Sequence, residues 1–252
     1  MTEFDGLTAL VTGGCGGIGA ATAALLRDRG TRVAVLDVRV GGAPEDVLAM
    51  VCDIADPDAV DEAIAEAVDH LGGLDLLVNN AGIGTVGDIG RNDDAEWARV
   101  LDINVTGIAR VTRAALPHLR SSSRAAVVNV CSAVAYPGVR QRALYSAGKG
   151  AVHALTLAMA AGHAADGIRV NAVAPGTADT PWVTRLLDDA EDPETAGRGP
   201  ARTPAVGAFG DCRGGGPAVY VWRRSTRPGD YFPLQGARRS PSPEPSPTPV
   251  RG

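Results

Sequence analysis

The chain has 252 residues, 45% of them hydrophobic, which suits one large α/β domain with a buried core and excludes a globally disordered polymer. A formal net charge of −5 excludes attraction of nucleic acid or an anionic membrane by the field of the whole protein. No apolar run approaches the roughly 20 residues that span a bilayer, and the opening MTEFDGLTALVTGG lacks the basic-then-apolar order of a signal peptide.

In chain order, Leu7–Thr12 reads as a strand and Gly17–Arg29 as a helix with its apolar face on Ile18, Ala21 and Leu25. Arg32–Asp37 and Val47–Asp53 are the next strands. Asp56–Leu71 is a helix entered through an Asp N-cap followed by proline at its first position. Leu74–Asn79 is a strand, Asp94–Arg120 one long helix, Ala126–Ser132 a strand, Ala143–Ala165 a helix and Ile168–Ala174 a strand. Six Val/Leu/Ile-rich strands interleaved with helices predict a doubly wound parallel sheet covered on both faces, the Rossmann-type α/β architecture that binds nucleotides.

Beyond Ala196 the composition changes. Ten of the 17 prolines fall in Gly197–Gly252, with nine arginines against three acidic residues, so the tail carries +6 and the first 196 residues −11. The reading is therefore a catalytic domain over residues 1–195 and a disordered, Pro/Gly/Arg-rich tail over 196–252. The four cysteines, Cys15, Cys52, Cys131 and Cys212, contain no CxxC pair, which predicts reduced thiols in a cytoplasmic protein with no metal site. Of 24 Lys+Arg, one alone is lysine, Lys149, in a chain otherwise written with arginine.

The first strand runs into Thr12-Gly-Gly-Cys-Gly-Gly-Ile-Gly19 and then a helix. Glycines there allow a tight turn and let the backbone approach a pyrophosphate at the helix N-terminus; a plain tight turn would use them too. Gly13, Cys15, Gly17, Ile18 and Gly19 are the candidate contacts. Asp37, ending the second strand about 20 residues on, would accept from ribose hydroxyls and repel a 2′-phosphate, favouring NAD over NADP. Otherwise it is a solvated strand-end aspartate, and Arg39 nearby softens the preference. Asp53, with Ile54 beside it, either meets the adenine amino group or forms a turn. Asn79-Asn80-Ala81-Gly82 ends the fourth strand at the ligand edge of such sheets, where an ordinary Asx-rich turn is the alternative.

Tyr145 and Lys149 are four residues apart on one helical face, a spacing that is otherwise that of a surface pair. An ammonium beside a phenol stabilises the phenolate and lowers its pKa, so that it can exchange a proton with an alcohol or carbonyl oxygen as hydride moves to or from nicotinamide. Ser132, ending the strand before, either donates a hydrogen bond to the same oxygen or caps a turn. Asn104, in the long helix, is placed to hold water beyond the lysine.

TGGCGGIG, NNAG, Asn104, Ser132 followed thirteen residues later by Tyr145 in YSAGK, and RVNAVAPGTADTP together resemble the short-chain dehydrogenase/reductase family over about residues 5–190. The resemblance implies Ser132, Tyr145 and Lys149 as catalytic trio with Asn104 fourth. It implies that Asn80, Ala81, Gly82, Tyr145 and Lys149 line the cofactor, and that Pro175, Gly176, Thr177 and Thr180 pass the nicotinamide amide and begin a substrate lid. It also implies a small-molecule substrate, an NAD cofactor and, usually, a homotetramer or homodimer. Arg142 and Arg185 are similar to residues of members that oxidise hydroxy acids or sugar acids, such as 3-hydroxybutyrate and keto-deoxy-fuconate dehydrogenases, where guanidinium forks hold a carboxylate; as plain surface arginines they would do nothing of the kind. Two alternatives stand beside this reading: a 3-oxoacyl-carrier-protein reductase-like enzyme, and a nucleotide-binding pseudoenzyme. The family's C-terminal helix and final strand are absent from the sequence after residue 196, which predicts an open sheet edge, reduced stability and doubtful assembly. Back-translation of Arg202–Phe209 one base later permits Arg-Gln-Pro-Leu-Gly-Arg, compatible with a shifted reading frame.

Overall fold

The computed structural model describes residues 4–176, 178–179, 203–204 and 220–221. Six parallel strands, β1 (Thr8–Thr12), β2 (Arg32–Asp37), β3 (Leu48–Val51), β4 (Leu76–Asn79), β5 (Ala126–Val130) and β6 (Arg169–Ala174), lie in the order β3-β2-β1-β4-β5-β6. The order reverses between β1 and β4, so their carboxyl ends flank the crevice where open α/β sheets take ligands. Val11 is level with Val35 on one side and Val78 on the other.

The strands are apolar on both sides because both faces are packed. Leu10, Ala34, Leu36, Leu77 and Val127 join Val60, Ile64 and Leu71 of α2 (Pro57–Leu71) and Val111 and Leu119 of α4 (Gly107–Arg120). The intervening Ala9, Val11, Val33, Val35 and Val78 turn the opposite way, with Ala23 of α1 (Gly17–Asp28), as the two-residue period requires. Helix α2 starts as its sequence dictates: the Asp56 carboxylate accepts from the N–H groups of Asp58 and Ala59, Pro57 stands at the first position, and Gly72 closes the helix at φ 72°.

Three features differ from the sequence reading. The buried stripe of α1 is Gly19, Thr22 and Ala23, whereas Ile18, Ala21 and Leu25 are half-buried. Small residues carry the close approach to the sheet, and apolarity alone pointed to their larger neighbours. The long helix is broken into α3 (Asp94–Leu101), a π-turn over Asp102–Thr106, and α4. The π-turn is a single wide turn inside an otherwise continuous helix, and each flanking helix keeps its own apolar period.

The third difference lies at the β6 edge, which is not wholly open. After α5 (Ala143–Gly162), β7 (Ala178–Asp179) and β8 (Thr203–Pro204) form a separate parallel pair, and β9 (Tyr220–Val221) adds antiparallel to β6 with Val221 opposite Val173 and Tyr220 opposite Ala174. The run Ala218-Val-Tyr-Val-Trp is the tail's best strand-former, being aromatic and β-branched. Among the described residues no helix follows α5, none is long and apolar enough to cross a membrane, and no group of three or more His, Cys, Asp and Glu could hold a metal.

Candidate active site

The glycine turn is shaped by contacts that exclude side chains. Gly13 stands at φ 63°, and a Cβ there would lie 2.9 Å from the Ala81 Cα; one on Gly19 would lie 2.0 Å from the Gly13 carbonyl oxygen. Gly16 caps α1 with no side chain, and the first turn carries no acidic residue. The N–H groups of Gly17, Ile18 and Gly19 therefore have no acceptor within the helix and stand at its positive end.

A brace that the sequence reading overlooked holds this turn to β4. Thr12 is 1% exposed; its Oγ1 accepts from the N–H groups of Asn80 (3.0 Å) and Ala81 (3.1 Å) and donates to the Val78 carbonyl at 3.5 Å. Asn80 Nδ2 returns hydrogen bonds to the carbonyls of Thr12 (3.0 Å) and Gly13 (2.9 Å). Only the β1–β4 pairing brings these residues together, so no local pattern could signal Thr12.

Asp37 sits beside the turn, one carboxylate oxygen accepting from the Cys15 N–H at 3.1 Å and the other from the Arg39 N–H at 3.2 Å. Asp53 is exposed and its carboxylate accepts from the Ala55 N–H at 2.9 Å, the contacts of a turn former. Ile54 is buried against α4, where a Cβ on Gly107 would lie 2.7 Å from its Cδ1.

The second group of candidates gathers at the carboxyl end of β5 and the start of α5. The Tyr145 and Ser132 hydroxyls are hydrogen-bonded. Ser132 Oγ also accepts, at 3.4 Å, from the Val134 N–H, so it caps the short 3-10 turn Ala133–Ala135 as well. Lys149 is 5% exposed; its Nζ donates to the Val130 carbonyl at 2.8 Å and lies 5.9 Å from the Tyr145 ring centroid. The Cys131 thiol, also absent from the site reading, donates to the Lys149 carbonyl at 3.1 Å and ties the end of β5 to α5.

Asn104 occupies the π-turn and is 0% exposed. Its side chain accepts from the Ile83 N–H and donates to the Ile83 carbonyl, both at 2.8 Å. A Cβ on Gly82 would meet Asn104 Oδ1 at 3.0 Å and Lys149 Nζ at 3.7 Å. Since Ala81 abuts Gly13, the Asn79–Gly82 stretch touches the glycine turn with one residue and the lysine group with the next. Both groups lie on one edge of the sheet.

The electrostatics depart from the sequence expectation. Burial pushes the Tyr145 phenol up to about 12, against a hydrogen bond from Ser132 and the charge of Arg142, which pull it down. Burial likewise pushes the Lys149 ammonium down to about 8, with the Cys131 thiol acting the other way. Desolvation thus dominates, and the charge that opposes it is not the lysine that the sequence pointed to. The cation acting on the phenol here is the half-buried Arg142 guanidinium, itself lowered by burial, whose Nη1 donates to the Thr85 carbonyl at 2.9 Å. Pro175 accepts from the Ala133 N–H at 2.9 Å, joining the end of β6, next to Gly176, to the Ser132 stretch. Thr177, Thr180 and Arg185 lie outside the described residues.

Residues 7–191 match the short chain dehydrogenase family. A cis-4-hydroxycyclohexanecarboxylate dehydrogenase of Sinomonas cyclohexanicum is 42% identical over 196 residues, 74% of this chain and 79% of that protein. A 3-oxoacyl-(acyl-carrier-protein) reductase of Vibrio cholerae is 34% identical, covering 84% of this chain and 87% of that one. Among solved structures, a 3-ketoacyl-(acyl-carrier-protein) reductase from Brucella melitensis complexed with NADH superposes with a TM-score of 0.70 at 32% identity, covering 72% of this chain and 80% of that one.

Proposed function

Because the chain belongs to the short-chain dehydrogenase/reductase family, and is thus a nicotinamide-dependent oxidoreductase acting on a small molecule, we propose that it interconverts a hydroxy acid and the matching keto acid with NAD(H). The observation that carries the acid is Arg142: a half-buried guanidinium acting on the Tyr145 phenol, with one N–H given to the Thr85 carbonyl. A guanidinium has five N–H donors, so the fork retains others for a carboxylate. The relative that acts on a hydroxycyclohexanecarboxylate supports the same chemistry. Arg185 is the second proposed carboxylate contact.

A dinucleotide suits the turn, where Gly13, Gly14 and Gly19 leave no room for Cβ atoms and the first helical N–H groups lack helical acceptors. Gly13, Cys15, Gly17, Ile18 and Gly19 would hold the pyrophosphate end, Asp37, Asp53 and Ile54 the adenosine, and Asn80, Ala81, Gly82, Tyr145 and Lys149 the nicotinamide riboside. Pro175, Gly176, Thr177 and Thr180 are proposed around the amide. The Asp37 carboxylate favours NAD because a 2′-phosphate there would meet like charge. When bound, the nicotinamide takes or supplies the hydride. Tyr145 exchanges the proton at the substrate oxygen, Ser132 Oγ donates to that oxygen, and the charge of Arg142 favours the phenolate that the exchange requires, with Lys149 beside the ring as the ammonium that holds the nicotinamide riboside. Asn104 fixes the backbone around Ile83 beside the lysine.

Turnover of 4-hydroxycyclohexanecarboxylate and shorter hydroxy acids with NAD, against the corresponding amides, tests the reading. We expect acids over amides and NAD over NADP, with Asp37→Ser relaxing the second preference. Equal turnover of acid and amide refutes the hydroxy-acid assignment. The acyl-carrier-protein reductases among the relatives favour a second reading, and preference for NADPH with a 3-oxoacyl thioester would select it.

We further propose that residues 196–252, although Tyr220–Val221 pairs with β6 and Thr203–Pro204 with β7, are a tail distinct in composition from the catalytic domain over 1–195 and translated in a shifted frame, which would leave the chain less stable and less able to assemble than its relatives. Resequencing codons 190–200 decides this, since an unshifted frame refutes it.

A further inference from the structure

A polar cluster, with Thr85 and Asn92 buried and Glu96 half-buried, joins the segment after β4 to the start of α5. Asn92 Nδ2 donates to Glu96 Oε2 (2.9 Å), the Val86 carbonyl (3.2 Å) and Thr85 Oγ1 (3.2 Å). The Thr85 hydroxyl donates to Glu96 Oε1. Thr85 and Asn92 are 5% and 8% exposed. Thus one carboxylate, with both oxygens engaged, anchors a stretch that has no regular structure of its own.

That stretch then grips the loop before Tyr145 at three points. The Gly87 N–H donates to the Gln141 carbonyl at 3.0 Å, the Ala143 N–H to the Gly87 carbonyl at 3.1 Å, and Arg142 Nη1 to the Thr85 carbonyl at 2.9 Å. The fit is tight: Gly87 is at φ 155°, where a Cβ would lie 2.6 Å from Asn92 Oδ1, and Gln141 is left-handed at φ 55°.

We propose that Glu96 is a positioning residue for the substrate: with Asn92 it fixes Thr85, whose carbonyl aims the Arg142 guanidinium at the anionic end of the substrate beside Tyr145. This rests on the reading of Arg142 as the carboxylate partner. Arginine has a long, rotamer-rich side chain, and the carbonyl of a residue whose hydroxyl is fixed by a carboxylate restricts it at the one point where its charge matters. Glu96 itself touches no reacting atom. Hydrogen bonds from Thr85 and Asn92 hold its carboxyl below the ordinary carboxylate range, so it acts as an acceptor through the neutral range.

The test measures binding, so it stands whether or not the chain turns over. The full-length protein with saturating NADH is titrated calorimetrically with cyclohexanecarboxylate and with cyclohexanecarboxamide, as wild type, Glu96→Gln, Thr85→Val and Arg142→Ala. Glu96→Gln and Thr85→Val should each weaken the acid about tenfold, of the order of one hydrogen bond to a charged group. The amide should change by less than about twofold, and NADH affinity should stay at the wild-type value. If Arg142→Ala abolishes the acid preference while Glu96→Gln and Thr85→Val keep it, the positioning role is overturned and the hydroxy-acid reading stands. If Arg142→Ala leaves the preference intact, that reading falls and the positioning role with it. Should Glu96→Gln fail to bind NADH, Thr85→Val decides by the same acid-to-amide ratio.

Discussion

Thr12→Val should cost far more than its size suggests. Valine fills the same space, so packing is unchanged, but the Asn80 and Ala81 N–H groups both lose the Oγ1 that accepts from them at 3.0 and 3.1 Å. The site is 1% exposed and water cannot replace the oxygen. Each orphaned buried donor costs about 1–3 kcal/mol, so the pair costs about 3–4 kcal/mol at central values. For a folded unit of 150–250 residues that corresponds to a Tm lower by roughly 6–16 °C. NADH affinity should fall at least tenfold, because the turn loses its brace. Thr22→Val is the control: its hydroxyl only donates, at 2.7 Å, to the Ile18 carbonyl within α1, so no donor is stranded and its Tm should fall by no more than a few degrees. Differential scanning calorimetry and NADH fluorescence titration read both effects. A Thr12→Val protein that melts with the wild type and binds NADH normally would refute the brace.

Tyr145→Phe should lower kcat by about 10²–10⁴-fold, the usual contribution of a positioned acid-base group, with NADH affinity within about twofold; retained kcat would refute the role of the phenol. Lys149 titrates at about 8 when folded against an ordinary 10.5, so between those values the unfolded chain holds the extra proton and stability rises with pH. Tyr145, at about 12 against 10.0, reverses the sign above pH 10, where the folded chain holds the extra proton and stability falls. Burial raises the Cys15, Cys52 and Cys131 thiols from their ordinary 9.0, Cys52 to about 11, and so opposes the lysine above pH 9. Denaturant midpoints should therefore climb from pH 8 to 9 in the wild type and not in Lys149→Met; a climb that survives in the variant excludes the lysine as its source. Burial alone would raise the Asp75 carboxyl, but hydrogen bonds from Ser122 and Thr8 bring it below its ordinary 3.8. Its stabilisation is present above that value and is lost as pH falls through the lower folded one. Asp75→Asn should cost about 1–2 kcal/mol at neutral pH and blunt the acid limb of a pH–stability curve; an unchanged limb would assign it to other carboxylates.

The strands were legible because a parallel sheet buried on both faces needs unbroken Val/Leu/Ile runs, and Arg32–Asp37 agrees to the residue. The glycine turn was legible because close backbone approach admits few residue types, and the meeting of Tyr145 and Lys149 on one helical face because they are four residues apart. What stayed hidden depends on contacts between distant segments. Thr12 reaches Asn80 only through strand pairing, and Glu96 is linked to Arg142 only through Thr85. The π-turn at Asn104 hides inside an otherwise continuous helix. The phenol's upward shift depends on how thoroughly the fold removes water, which no spacing of letters reports.

The buried position of the chain's sole lysine has a practical consequence. A lysyl endopeptidase has a single peptide bond to cut, Lys149–Gly150, in the middle of α5. Cleavage requires that helix to leave the sheet, so digestion yields two fragments of nearly fixed size at a rate set by helix opening. Amine-acylating reagents, once the α-amino group is blocked, report the same event. The protein can thus be followed through its own rare breathing, residue by residue at one address, without any inserted label.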